Sequence, residues 1–141
     1  MGAACLRALT SEYHHILDQL GRLYEESVSG PVDAALTAEL RSLGAAFAEH
    51  FAHERALMDA TRYPDAGRHE ETHGLIRRFV DKLAAAAERR DDGLVRREMP
   101  FLLHLVLDHR TVEDRSLDEF VVGLETGGLE MHGLQAGAAV H

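Results

Sequence analysis

Leu36, Leu40, Leu43, Phe47, His50, Glu54 and Leu57 follow one another at alternating steps of four and three. That spacing marks one face of an amphipathic helix. Comparable stripes run through Leu9, Tyr13, Leu17, Leu20 and Tyr24, through His69, His73, Ile76, Val80 and Leu83, and through Leu102, Leu105, His109 and Val112. β-branched runs are short and nothing alternates over several residues, so strand signals are nearly absent. Breakers at Ser29-Gly30-Pro31, at Tyr63-Pro64-Asp65-Ala66-Gly67 and at Asp91-Asp92-Gly93 divide the chain. Helices are therefore expected over about residues 4–28, 33–60, 67–90 and 93–123. Short connections make neighbours antiparallel, which predicts an all-α, up-down-up-down four-helix bundle with its polar interruptions in the core. Pro100 falls inside the fourth helix and is expected to kink it or delay its start. The bundle should occupy residues 1–123. The Gly-rich tail of residues 124–141 is expected to be irregular or frayed, with Leu124, Leu129, Met131 and Leu134 available to dock over a bundle end.

Composition narrows the function. A net charge of −9 over 141 residues argues against a nucleic-acid face, which needs the opposite sign. With a single cysteine, Cys5, no internal disulfide can form and a reducing compartment is expected, where that thiol is inert. No apolar run reaches the length of a membrane span. The opening MGAACLRALT lacks the apolar core of a secretory signal and the Ser or Thr at position 6 of a myristoylation pattern. A cytoplasmic location is the expectation. Ten histidines change the picture most, because imidazole is the commonest metal-ligating side chain.

Several of these histidines occupy core positions. His50 and Glu54 sit on the second stripe where leucine would serve, His69 and His73 on the third, and His109 on the fourth, while His14 and His15 lie beside the first. A lone imidazole on an apolar face is most often a hydrogen-bonded core residue. Several of them, with carboxylates, are different: burying such a set costs several kcal/mol per group without compensation. A divalent cation supplies that compensation, and side chains one helical turn apart point the same way and can share it. The set exceeds the four ligands of one zinc. Imidazole and carboxylate without thiolate suit two six-coordinate ions, and iron better than a soft metal.

The order His14, His50-Phe51-x-x-Glu54-x-x-x-Met58, Tyr63-Pro64, His69-x-x-x-His73, His109-x-x-x-x-Asp114 resembles the hemerythrins, especially their bacterial branch, over about residues 10 to 120. The resemblance implies a left-turning four-helix bundle around two iron ions joined by an oxo or hydroxo group. It gives His69, His73 and His109 to one iron, His14 and His50 to the other, and Glu54 and Asp114 to both. The two-histidine iron would keep a vacancy for dioxygen. For helix one the resemblance points to His14, with His15 as the alternative. For helix four it points to Asp114, although five residues turn about 140° around an ideal helix and Glu113 faces the core better by simple geometry. Asp114 needs a local distortion such as a π-turn, which leaves Glu113 on a solvated face with Asp118 and Glu119. His53, His104, His132 and His141 are read as surface or outer groups, and Phe51, Ile76, Phe79, Leu105 and Val112 as core. Bacterial members commonly carry a longer, tryptophan-containing arm before helix one. This chain has no tryptophan, so the site is expected to be more accessible or to be covered by the tail.

The resemblance implies a protein that binds dioxygen reversibly for storage, delivery or sensing rather than one that turns over a substrate. No nucleophile or general base stands outside the ligand set. A di-iron enzyme handling peroxide or nitric oxide is the alternative. An iron- or redox-responsive interaction module is a third class.

Overall fold

The computed structural model describes residues 2–139, with side chains described through residue 127. Five helical segments follow one another: α1 (Gly2–Ser29), α2 (Ala34–Thr61), α3 (Ala66–Glu88), α4 (Asp92–His109) and, after a π-helical turn (Arg110–Asp114), α5 (Arg115–Ala139). There is no strand among the described residues. α1 packs on α2, α2 on α3, α3 on α4 and α4 back on α1. The chain is an all-α four-helix bundle whose fourth rod is built from α4, the π-turn and α5.

The helix ends follow from local chemistry. The Asp33 carboxylate accepts from the Leu36 amide at 3.0 Å, and that of Asp91 from Leu94 at 3.2 Å, satisfying amides that the first turns of α2 and α4 leave free. α2 stops because Arg62 turns left-handed at φ 53°. The Tyr63 amide then reaches back to the Met58 carbonyl at 3.0 Å, closing the chain over the helix end. Arg90, at φ 61°, does the same for α3, and the Asp91 amide donates to Ala86 at 2.9 Å. Of the breakers Asp91-Asp92-Gly93 only Asp91 lies outside α4, which starts one residue before the expected 93 because Asp91 caps it. Pro100 does not delay the start of α4, which begins at Asp92. Arg96 of α4 donates to the carbonyls of Ser27 and Gly30 at 3.0 and 3.2 Å, fastening the α1–α2 connection.

Two apolar layers fill the interior. The larger includes Ile16, Leu20, Leu23, Leu40, Leu43, Phe47, Phe51, Ile76, Val80, Leu83, Met99, Leu102 and Val106. The smaller holds Leu57, Met58, Tyr63, Leu117 and Val121, with Leu6 and Leu9 packed against it. Along three of the rods the two layers are separated by polar residues: Glu54 on α2, His69 and His73 on α3, and His109 and Asp114 on the fourth rod, all buried. The core is thus interrupted at one level by a polar layer.

The stripes expected for the second and third helices are buried at every position. Two others need correction. On α1 the buried face is Tyr13, Ile16, Leu20, Leu23 and Ser27, whereas Leu17 and Tyr24 only edge the core. On the fourth rod the face runs Leu102, Val106 and His109, then jumps to Asp114, Leu117 and Val121. The π-turn holds an additional residue, so Val112, expected in the core, is 56% exposed. The backbone past Gly123 also differs from the irregular tail expected for residues 124–141. It continues helically to Ala139, since glycine weakens a helix without terminating it and no proline follows. Leu124 is 47% exposed. Leu129, Met131, Leu134, His132 and His141 lie outside the described side chains. No helix among the described residues is long and apolar enough to cross a membrane.

Candidate metal centre

At the polar layer, Glu54, His69, His73, His109 and Asp114 each offer one ligand atom, and these atoms lie within 4.8 Å of one another. Three separate rods supply them. Glu54 Oε1 is 3.2 Å from His73 Nε2 and 3.4 Å from His50 Nε2, and its Oε2 is 3.3 Å from His69 Nε2. Asp114 Oδ1 is 3.0 Å from His69 Nε2 and 3.1 Å from His109 Nε2. His73 Nε2 faces His109 Nε2 at 3.1 Å, an arrangement in which at most one nitrogen of the pair can donate. His50 is equally buried but stands at the margin of the five, next to Glu54. Asp114 reaches this layer because the turn at Arg110–Asp114 is π-helical. Its i→i+5 closure returns the fifth residue to the face of His109, as the sequence pattern requires.

Outer partners aim the rings. His50 Nδ1 donates to Glu12 Oε1 at 3.0 Å, and the other Glu12 oxygen accepts from His53 Nδ1 at 2.7 Å. His109 Nδ1 donates to Glu113 Oε1 at 3.0 Å, while Thr72 Oγ1 donates to Glu113 Oε2 at 3.0 Å. A carboxylate behind Nδ1 holds the proton there, which leaves the Nε2 lone pair directed inward and makes it more basic. Glu113 is therefore not part of a solvated face with Asp118 and Glu119, as expected, but orients His109. Glu12 was not foreseen. Its only sequence signal is its place on α1, level with the seam. His73 is fixed differently, its ring stacked on Phe51 at 3.8 Å with 9° between planes. His69 meets the edge of Tyr63 at 6.3 Å.

The electrostatics of the layer call for a cation. Glu54 Oε1, Asp114 Oδ1, both ring nitrogens of His69 and His73 Nδ1 are buried without a well-directed hydrogen bond. Each such group would forfeit about 1–3 kcal/mol. Burial pushes the Glu54 carboxyl up to about 7, against the pull of His69 and with the push of Asp114. Burial lowers His69, but the facing carboxylates of Asp114 and Glu54 outweigh it and raise it to about 9. Burial, with the neighbouring His109 and His69, drops His73 to about 3. For Asp114, burial works upward but His109 and His69 hold it well below the ordinary carboxylate range. The layer is a carboxylate pair facing a mixture of charged and neutral imidazoles, and a metal ion can replace the protons they share. Protons and metal compete for the same atoms, so affinity must rise with pH. Titration with Mn²⁺ should show affinity climbing as pH passes about 7, where Glu54 loses its proton, and flattening above about 9, where His69 does. A flat profile across that range would remove these groups from the ligand set.

Comparison with family models matches residues 6–119 to the hemerythrin HHE cation-binding domain. The chain belongs to that family. Comparison with curated proteins and with solved structures gave no match. The hemerythrin domain identifies a cation-binding protein, and the buried His, Glu and Asp cluster is where this member would hold its cation.

In this hemerythrin-domain protein α1 does not present a histidine to the layer. His14, expected as the helix-one ligand, is exposed, and so is its alternative, His15. They border an open surface depression with Thr10, Ser11 and Asp18. The inward position is Tyr13, 7% exposed. The reason is packing: with Ile16 and Leu23 on the buried face, the helix is rotated so that residue 13, not 14, meets the seam. Tyr13 shares a cavity of about 10 Å³ with His50, Glu54 and Asp114 among its walls. Burial raises its phenol above the usual range, with Arg110 opposing and Asp114 adding to the shift. The Arg110 guanidinium lies 5.3 Å from the Tyr13 ring centre and donates to Asp118 Oδ2 at 3.0 Å.

Proposed function

We propose that the centre holds a pair of iron ions and that the protein binds dioxygen reversibly, for storage, delivery or sensing. The observation that carries this reading is the buried convergence of Glu54, His69, His73, His109 and Asp114 within 4.8 Å. Imidazole and carboxylate donors without thiolate favour iron over a soft metal. His69, His73 and His109 would hold one ion and His50 the other, with the paired oxygens of Glu54 and Asp114 spanning both. Bound there, an iron pair would supply reversible electron transfer to dioxygen. The chain's own groups do the remaining work. Glu12 and Glu113 keep the proton of His50 and of His109 on Nδ1, so that Nε2 stays available. Phe51, Leu57 and Met58 are buried apolar neighbours of the layer on α2 and help keep water away from it. A cytoplasmic location is part of the same proposal.

The test is optical. Protein loaded anaerobically with Fe²⁺ and exposed to oxygen should develop a visible band that fades under argon and returns with oxygen. Elemental analysis should find a pair of irons per chain. Rapid, irreversible oxidation with turnover of added peroxide would replace this reading with that of a di-iron enzyme.

A further inference from the structure

We infer that Tyr13 is the metal ligand contributed by α1, its phenol oxygen taking the ion beside His50 where an imidazole was expected. The inference rests on the iron-pair reading and concerns the half of the centre that lacks donors. The mutually close set of five contains nothing from α1, and the His50 side has only that imidazole besides the shared carboxylates. α1 nevertheless crosses the polar layer. Leu6 and Leu9 pack against one apolar layer, and Tyr13, at the edge of the other, is followed there by Ile16, Leu20 and Leu23, so α1 passes the level of the site between Leu9 and Ile16, with Thr10, Glu12 and Tyr13 as the polar side chains next to the centre. Glu12 is engaged by His50 and His53 at their Nδ1 atoms, behind the ring rather than in front of it. Of the α1 residues that share a cavity wall with His50, Glu54 and Asp114, Leu9 has no donor atom and the Thr10 hydroxyl donates to the Leu6 carbonyl at 2.8 Å, which leaves the Tyr13 phenol.

The surroundings of the ring suit the role. Arg110, tied to Asp118, stands over the Tyr13 ring at 5.3 Å from its centre, which holds the ring and places a permanent positive charge beside it. Arg110 opens the same π-turn that swings Asp114 inward, so one backbone distortion serves both ligands. Coordination would exchange the phenolic O–H bond for a metal–oxygen bond, with the proton released to solvent. The resulting anionic oxygen offsets one more unit of metal charge than an imidazole does and so favours the oxidised ion.

The distinguishing property of a phenolate on ferric iron is colour. Iron-loaded, oxidised protein should show a phenolate-to-iron charge-transfer band, and Raman excitation within that band should enhance tyrosine ring modes. Both should vanish in Tyr13→Phe and persist in Tyr63→Phe, the control for the tyrosine next to His69. Tyr13→Phe should also fall toward one iron per chain, and Tyr13→His should restore the second iron without the band. Wild-type protein that holds iron without tyrosine-enhanced modes, or a Tyr13→Phe variant that keeps them, overturns the inference and leaves the iron-pair reading intact. A wild-type chain that takes up no iron overturns both.

Discussion

Stripping the metal from the loaded protein should lower its melting temperature by roughly 10 °C, the largest effect expected of any single change. An ion at about a thousand times its dissociation constant stabilises the fold that binds it by about 4 kcal/mol. For a chain of this length each kcal/mol moves the midpoint by about 3 °C. The structural cause is the polar layer itself. Without a cation, Glu54, Asp114, His69 and His73 keep buried atoms with no directed partner between two apolar layers. With a cation, the same atoms join α2, α3 and the fourth rod at one point. Scanning calorimetry of the loaded protein before and after treatment with a chelator would measure the difference. Coincident transitions would mean that the cluster is a self-sufficient hydrogen-bonded core.

Replacing His73 by leucine should separate binding from folding by acting on them in different ways. His73 is held neutral by burial, its ring lies flat on Phe51, and its Nδ1 is buried without a hydrogen bond, 3.6 Å from Glu70 Oε1. Leucine fills similar space and removes the Nδ1 that makes no hydrogen bond, while sacrificing the Nε2 contacts with His109 Nε2 at 3.1 Å and Glu54 Oε1 at 3.2 Å and the ring stack on Phe51. The metal-free His73→Leu protein should therefore melt within about 1 kcal/mol of the parent, because a lost hydrogen bond and a relieved polar group are of similar size. Metal affinity should fall by about a hundredfold or more, since even outer partners of metal ligands are worth about 10–100-fold. Calorimetric titration with Mn²⁺, together with melts in chelator, reads both quantities. A loss of several kcal/mol in the metal-free protein would show that the imidazole is structural in its own right.

Most of the centre was legible in the sequence because α2 and α3 are regular helices. Leu36 through Leu57 and His69 through Leu83 keep one phase along their whole length, so facing follows from spacing alone. Asp114 was legible only through the family pattern, since ideal helical geometry puts Glu113 inward. The π-turn that reverses this choice is a distortion no spacing rule contains. Val112 was misplaced for the same reason. On α1 two phases were compatible with the residues, one through Leu17 and Tyr24 and one through Ile16 and Leu23, and only packing against the other helices chooses between them. His14 fell with the wrong phase. Glu12 and Glu113 were missed as orienting groups because a charged residue at a helix edge looks the same in sequence whether it meets water, an imidazole across the bundle as Glu12 does, or one a turn earlier on its own rod as Glu113 does.

The hollow beside His50 has a volume of about 10 Å³, close to that of a single water-sized sphere. Girth therefore becomes a criterion of admission. An aromatic ring, a sugar or a lipid chain is far larger than this space. The room at the inner face of His50 is that of one water-sized molecule and no bulkier one.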